Sequence, residues 1–153
     1  MSVKLKTWVQ KWIDDLTKPS PNNNEIPLCP FAKKAWQQKA VKVVNSKDIW
    51  TTVCKEVNVF GSHKVVMCVD ENPEYTYSEL EAGCDALNYW FASIKKDVWL
   101  LSYQTDRAVV FIQPLSDLDN ASITLEKLGY YTNYKQKDYD RLIKHRRDLR
   151  GVY

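Results

Sequence analysis

His63-Lys64-Val65-Val66-Met67-Cys68-Val69-Asp70 (HKVVMCVD) decides how the chain folds. A near-continuous apolar run of this length is the mark of a strand buried on both faces of a sheet, and Asn72-Pro73 breaks it. Upstream, Ala40–Val44 (AVKVV) reads as a second strand. Between the two, Ser46 is placed to cap a helix carrying Ile49, Trp50, Val53 and Val57 and ended by Gly61. Downstream, Thr76 and Glu79 have capping-box spacing, and Leu80, Cys84, Leu87, Phe91 and Ile94 form the apolar stripe of the next helix. Val98–Tyr103 and Ala108–Ile112 then read as a hairpin joined by the polar turn Gln104–Arg107, with Pro114 ending its second strand.

The flanks are helical. Leu5, Trp8, Val9, Trp12, Ile13 and Leu16 recur at helical spacing over about residues 3–17, with Ser2 as the N-cap. KPSPNNNEIP (18–27) is a loop, because its prolines and asparagines oppose regular structure. Pro30 starts a short helix running to Gln38. A helix near Leu118–Leu128 has Gly129 as its C′ residue, and a basic helix occupies about 136–149. The order specifies an α/β fold: one domain over 1–153, a four-stranded mixed sheet with two β-α-β crossovers and a terminal hairpin, covered by helices.

Composition narrows the function classes. The 153 residues are 44% hydrophobic and 27% charged, with 19 aromatics and only four glycines, which excludes disordered and collagen-like chains. No apolar run reaches the roughly 18 residues of a membrane span. The N-terminus lacks the apolar run and small-residue site of a secretory signal, so a cytoplasmic location with reduced thiols is expected. Cys29, Cys54, Cys68 and Cys84 form no C-x-x-C pair and both histidines stand alone, so no zinc site is expected and no metal is assigned to these residues. Glycine-rich phosphate loops, G-x-S-x-G and H-E-x-x-H are absent, and no cofactor is expected. The lysine- and asparagine-rich composition suits a phage or an AT-rich genome.

Three regions carry chemistry. Cys29, just before Pro30, sits at the N-terminus of a predicted helix, where unpaired N–H groups favour a thiolate nucleophile or redox group. The opposing reading is a small buried hydrophobe. Cys54, Cys68 and Cys84 lie on apolar faces and read as core. At the carboxyl end of the sheet, Asp70 and Glu71 follow one strand. Tyr103, Gln104, Asp106 and Arg107 join them there if the third strand runs parallel to the second, which makes a polar pocket or a divalent-metal site, against the reading of a solvated loop. The third region runs from Tyr131, Thr132 and Asn133 to Arg141, Lys144, Arg146 and Arg147. Aromatics beside this concentrated positive charge suit a protein partner, a nucleic acid, or only a solvated face.

At LCPFAKKA (28–35) the chain resembles a bacterial family of small uncharacterised proteins with a Leu-Cys-Pro-Phe-Ala motif after an amphipathic helix. YTYSELEAGCDALNYW (75–90) and YYTNYKQKDYDRLIKHR (130–146) are similar to the family's later helix and its last turn and helix. Ser102-Tyr103-Gln104 stands where the family has phenylalanine-histidine-proline. The resemblance supports the fold and singles out Cys29 and Tyr131-Thr132-Asn133. The reading so reached is a protein-binding or assembly module, including a homo-oligomer, using the Tyr/Arg-rich C-terminal surface. Its alternative is a small cytosolic enzyme built on Cys29. Nucleic acid has weaker support than a protein partner, and no membrane partner is expected.

Overall fold

A computed structural model describes residues 3–16, 36–61 and 65–150. The chain expected to form one domain groups into two compact units, one over Gln38–Leu115 and the other joining the N-terminal segment to the residues from Ser116 onward. The N-terminal helix is α1 (Val3–Leu16). Ser2, the 18–27 loop, Cys29 and the Pro30 helix start lie outside the described residues.

The first unit is an open sheet with two helices. In chain order it comprises β1 (Val41–Asn45), α2 (Ile49–Asn58), β2 (Val65–Asp70), α3 (Tyr77–Ser93), β3 (Trp99–Gln104) and β4 (Ala108–Gln113). The spatial order is β1-β2-β4-β3, with β1 parallel to β2 and β4 antiparallel to both β2 and β3. The fold is therefore α/β with a mixed four-stranded sheet. β3 runs in the sense of β2, two strand positions away, and the hairpin returns β4 into the gap. Sequence explains the placement: Ala108–Ile112 is wholly apolar and buried throughout, whereas β3 beyond Leu100 has an exposed Leu101 and half-buried Ser102, Tyr103 and Gln104, and suits an edge.

Alternation of side chains builds the core. Val66 and Cys68 of β2, Val110 and Ile112 of β4 and Leu100 of β3 share one face. Ile49, Val53 and Val57 of α2 and Leu80, Cys84 and Phe91 of α3 pack there. Each such aliphatic or aromatic side chain contributes about 1.5–3 kcal/mol through removal from water. Lys42 shares this face and reaches back to Glu56 of α2 at 3.0 Å.

Several local expectations are corrected. α2 is capped by Asp48, which accepts from the Thr51 amide (3.3 Å) and hydroxyl (2.8 Å). Ser46 instead extends the β1–β2 ladder through Ser46 N to Val69 O (2.8 Å), and its buried hydroxyl shares a 2.6 Å hydrogen bond with Thr52. α2 ends at Val59, before Gly61. Cys54, expected in the core, is exposed because it falls beside Val53 on the solvent side of the helix. Ile94 is not part of the buried stripe: it is the C-cap of α3 and half exposed, since the helix has already ended. The capping box of Thr76 and Glu79 forms as expected.

Polar Asn88 is buried among the apolar residues of α3. Its side-chain amide donates to Leu100 O (2.9 Å) and accepts from Leu100 N (2.7 Å). It occupies the position that a further strand would take beside β3, so the edge is sealed by one side chain.

In the second unit α1 buries Leu5, Val9 and Ile13, while Trp8 and Trp12 stack with ring centroids 6.3 Å apart. Trp36 donates its indole N–H to Gln10 Oε1 at 2.6 Å. α4 (Leu115–Lys127) starts directly after Pro114, three residues earlier than expected. It ends in a Schellman turn: Gly129 has φ 80°, its N–H binds Glu126 O (3.1 Å), and Tyr130 N–H binds Leu125 O (3.0 Å). The last helical run is α5 (Gln136–Tyr139), a π-helical turn (Asp140–Lys144) and α6 (His145–Arg150).

Candidate functional site

Among the described residues, each unit carries a concave surface. The first lies at the carboxyl ends of β1 and β2, a cleft of about 700 Å³ bounded by Asn45–Trp50 and by Asp70, Glu71, Asn72, Glu74 and Tyr75. Asp70 is buried and accepts from Tyr75 Oη (2.9 Å) and the Asn72 amide (3.0 Å). Burial, then the hydrogen bond to Asp70, raises the Tyr75 pKa above the ordinary phenol value. Glu71 accepts from Asn45 Nδ2 at 3.1 Å, and Gln104 Nε2 donates to Tyr75 O at 3.1 Å. The cleft's polar groups are thus largely committed to holding the strand ends and the Asn72 turn together.

Because β3 runs in the sense of β2, the hairpin turn does lie at the Asp70 end. Asp70, Ala108 and Gln104 form one row across the sheet. Tyr103, Asp106 and Arg107 nevertheless do not enter the cleft. Tyr103 is one residue out of phase with Gln104 and so faces the other side of the sheet. Asp106 and Arg107 pair with each other in the turn at 3.0 Å. Among the described residues no group of three or more His, Cys, Asp or Glu is arranged to hold a metal ion.

The second surface is built on the C-terminal residues. Tyr130, Tyr131, Tyr134 and Tyr139 form one aromatic cluster: Tyr131 meets Tyr130 and Tyr134 edge-on at 5.1 Å and Tyr139 at 5.6 Å. Burial pushes the Tyr131 pKa up to about 12. Tyr139 donates to Glu126 Oε1 (2.6 Å), while Arg147 donates to Glu126 Oε2 (3.0 Å), Tyr139 Oη (3.2 Å) and Ser122 Oγ (3.1 Å). Arg146 forms a buried ion pair with Asp119 at 3.1 Å.

Arg146 and Arg147 are therefore not available as surface cations, which corrects their reading as binding residues. The charge run is visible in sequence, but its partners Asp119, Ser122 and Glu126 stand on α4, 21 to 27 residues upstream. Thr132, Asn133, Arg141 and Lys144 remain exposed. Asn133, Tyr134, Lys135, Asp138, Arg141 and Leu142 line a shallow concavity of about 410 Å³. The π turn supplies Arg141 and Leu142 to that wall, and such turns interrupt helices most often at functional places.

Sequence reading missed an exposed aromatic pair. Tyr89 and Trp90 on α3 are 67% and 58% exposed. Their positions off the apolar stripe, between Leu87 and Phe91, were the available signal. Cys29 lies outside the described residues. Cys68 and Cys84 are buried, and desolvation pushes each pKa up to about 12, which suits core residues and not thiolates. No described helix is long and apolar enough to cross a membrane.

The described residues form an α/β sheet unit and a second, helical unit, each with a concave surface. No protein-family model, no curated protein and no solved structure matches the chain.

Proposed function

We propose that the protein is a non-catalytic binding module that engages another protein through the concave C-terminal surface around Asn133, Tyr134 and Arg141. The observation that carries this is the packing beneath the surface. The tyrosine cluster beneath the surface is packed edge-on and tied to α4 through the Arg147–Glu126–Tyr139 network. A pre-ordered aromatic and polar surface loses little conformational entropy on association, and Tyr and Arg are the side chains that dominate such contacts. Exposed Thr132, Asn133 and Lys144 supply the hydrogen-bonding rim.

The reading is tested with a photo-crosslinking amino acid placed at Asn133 in the full chain within its native cell. The expected result is one discrete protein adduct that does not form from the same probe at exposed Ala82 of α3. No adduct, or the same adducts from both positions, overturns it.

A further inference from the structure

We infer that the outward face of α3 is a self-association surface and that its occupant is α3 of a second copy of this chain, lying antiparallel to it. A helix packed on a sheet ordinarily turns a polar, charged face to solvent. α3 does not. Opposite its buried stripe stand Ala82, Ala86, Tyr89 and Ser93, all exposed, with exposed Trp90 on their flank. No lysine or arginine occurs anywhere in α3. Two neighbouring rings, both more than half exposed, beside a row of alanines make an apolar patch of the kind that marks a contact surface.

The spacing of the patch shows what fits it. Ala82, Ala86, Tyr89 and Ser93 are separated by four, three and four residues, the alternation by which two helices pack along a seam. The seam is self-complementary when the second helix runs the other way, about a two-fold axis level with the Leu87–Asn88 peptide. Tyr89 of each copy then stands opposite Ala86 of the other, and Ala82 opposite Ser93. Each large ring meets a small side chain, and the small residues at both ends let the helices approach. A parallel pair would instead set ring against ring and alanine against alanine.

Charge selects the same arrangement. Glu79, Glu81 and Asp85 all lie in the N-terminal half of α3, while Lys95 and Lys96 follow its C-terminal end, with Asp97 after them. The antiparallel pair brings the lysine end of each copy to the acidic end of the other and sets the helix dipoles opposed. A parallel pair would gather all the acids together. Asp85 falls level with Trp90 of the other copy, so the two Asp85 carboxylates are about 7.5 Å apart along the axis and do not face each other. Both Trp90 rings lie on one side of the pair and both Asp85 side chains on the other. This match of size and charge within one helix selects a second copy over an unrelated helix. The inference goes beyond the partner-binding reading and does not rest on it, since the two surfaces share no residue.

The test is the solution mass of the full chain by sedimentation equilibrium over a concentration series. The wild type is expected to rise from 17.9 kDa toward twice that mass. Ala86→Glu changes an exposed helical position and sets a carboxylate against the Tyr89 ring of the other copy, so it should give a folded monomer with unchanged far-UV circular dichroism. Mixing reads the register. Ala86→Cys chains oxidised together with Tyr89→Cys chains should yield the mixed disulfide in at least tenfold excess over Ala86→Cys with Val59→Cys, whose site at the end of α2 is comparably exposed. A photo-crosslinking amino acid at Ala82 should capture only a second copy, so failure here leaves the Asn133 reading standing. A wild type that stays at 17.9 kDa overturns the inference, whether the face is open or covered by the chain's own residues. So does a dimer that persists in folded Ala86→Glu. Should Ala86→Glu fail to fold, a mixed disulfide no more abundant than the Val59 control overturns it.

Discussion

Gly83→Ala is the substitution that most sharply separates local propensity from packing in this protein. Gly83 stands in the middle of α3, where alanine is ordinarily better than glycine by about 1 kcal/mol. On that ground alone the change stabilises. The structure gives the opposite sign. A Cβ built on Gly83 falls 2.5 Å from Cη2 and 3.0 Å from Cε2 of Trp50, and closer still to Cζ2. The indole of Trp50 therefore lies across the backbone of α3, filling the space between the helices. Trp50 is half-buried against the core, so it yields only by giving up packing. Overpacking of this kind costs about 1–3 kcal/mol. Set against the propensity gain, the net change is a loss of up to about 2 kcal/mol. Urea unfolding followed by circular dichroism measures it. Trp50→Phe removes the overlapping part of the ring, so in that background Gly83→Ala should regain its intrinsic advantage. The two substitutions should then be coupled by about 1–3 kcal/mol. A gain of about 1 kcal/mol for Gly83→Ala in the wild-type background would refute the reasoning.

Four further outcomes follow from named contacts. Asn88→Ala strips the partners from Leu100 N and O and should cost about 2–4 kcal/mol of unfolding free energy, with fast hydrogen exchange appearing at the Leu100 amide. Asp119→Asn leaves Arg146 buried without its full counter-charge and should destabilise by about 3–5 kcal/mol, whereas Lys144→Ala, which removes an exposed pair with Asp148, should change unfolding by less than about 1 kcal/mol. The Glu126 pKa is lowered by its hydrogen bond from Tyr139 and by Arg147, and the Tyr139 pKa is raised by the same bond. The Glu126 contribution is present above its unfolded value near 4.5 and fades as pH falls through its folded value, while the Tyr139 contribution is present below 10.0 and fades as pH rises. Unfolding midpoints across pH should show both flanks, and Glu126→Gln should flatten the acid one. Native-state thiol labelling should modify Cys54 readily and reach Cys68 and Cys84 only on unfolding; equal rates at all three would contradict their burial.

Most of the sheet unit was legible in sequence because its strands carry unbroken apolar runs and its α3 start carries a capping box. What was not legible depends on distance along the chain. Whether β4 lies inside or outside β3 is decided by how completely each strand is apolar, and a hairpin allows either. Asn88 reads as a surface residue until its bonds to Leu100, 12 residues away, are seen. The C-terminal arginines illustrate the same limit. Arg141 and Lys144 were read as surface cations and are exposed, while Arg146 and Arg147 have the same character in sequence and turn inward to α4. A charge count gives the cations but not their partners. The Asp70–Glu71 pair was rightly placed at a strand end, yet its hydrogen bonds hold the Asn72 turn, and the hairpin residues expected beside it face elsewhere.

One side of the C-terminal helical run packs on α4 through Arg146 and Arg147, and the other side is the proposed partner surface. Arg141→Glu tests it most directly, measured as partner adduct from the photo-crosslinker at Asn133 with urea unfolding run on the same sample. Loss of the adduct is expected, with stability unchanged to within about 0.5 kcal/mol. An adduct that survives charge reversal at Arg141 in a fully stable protein would contradict it.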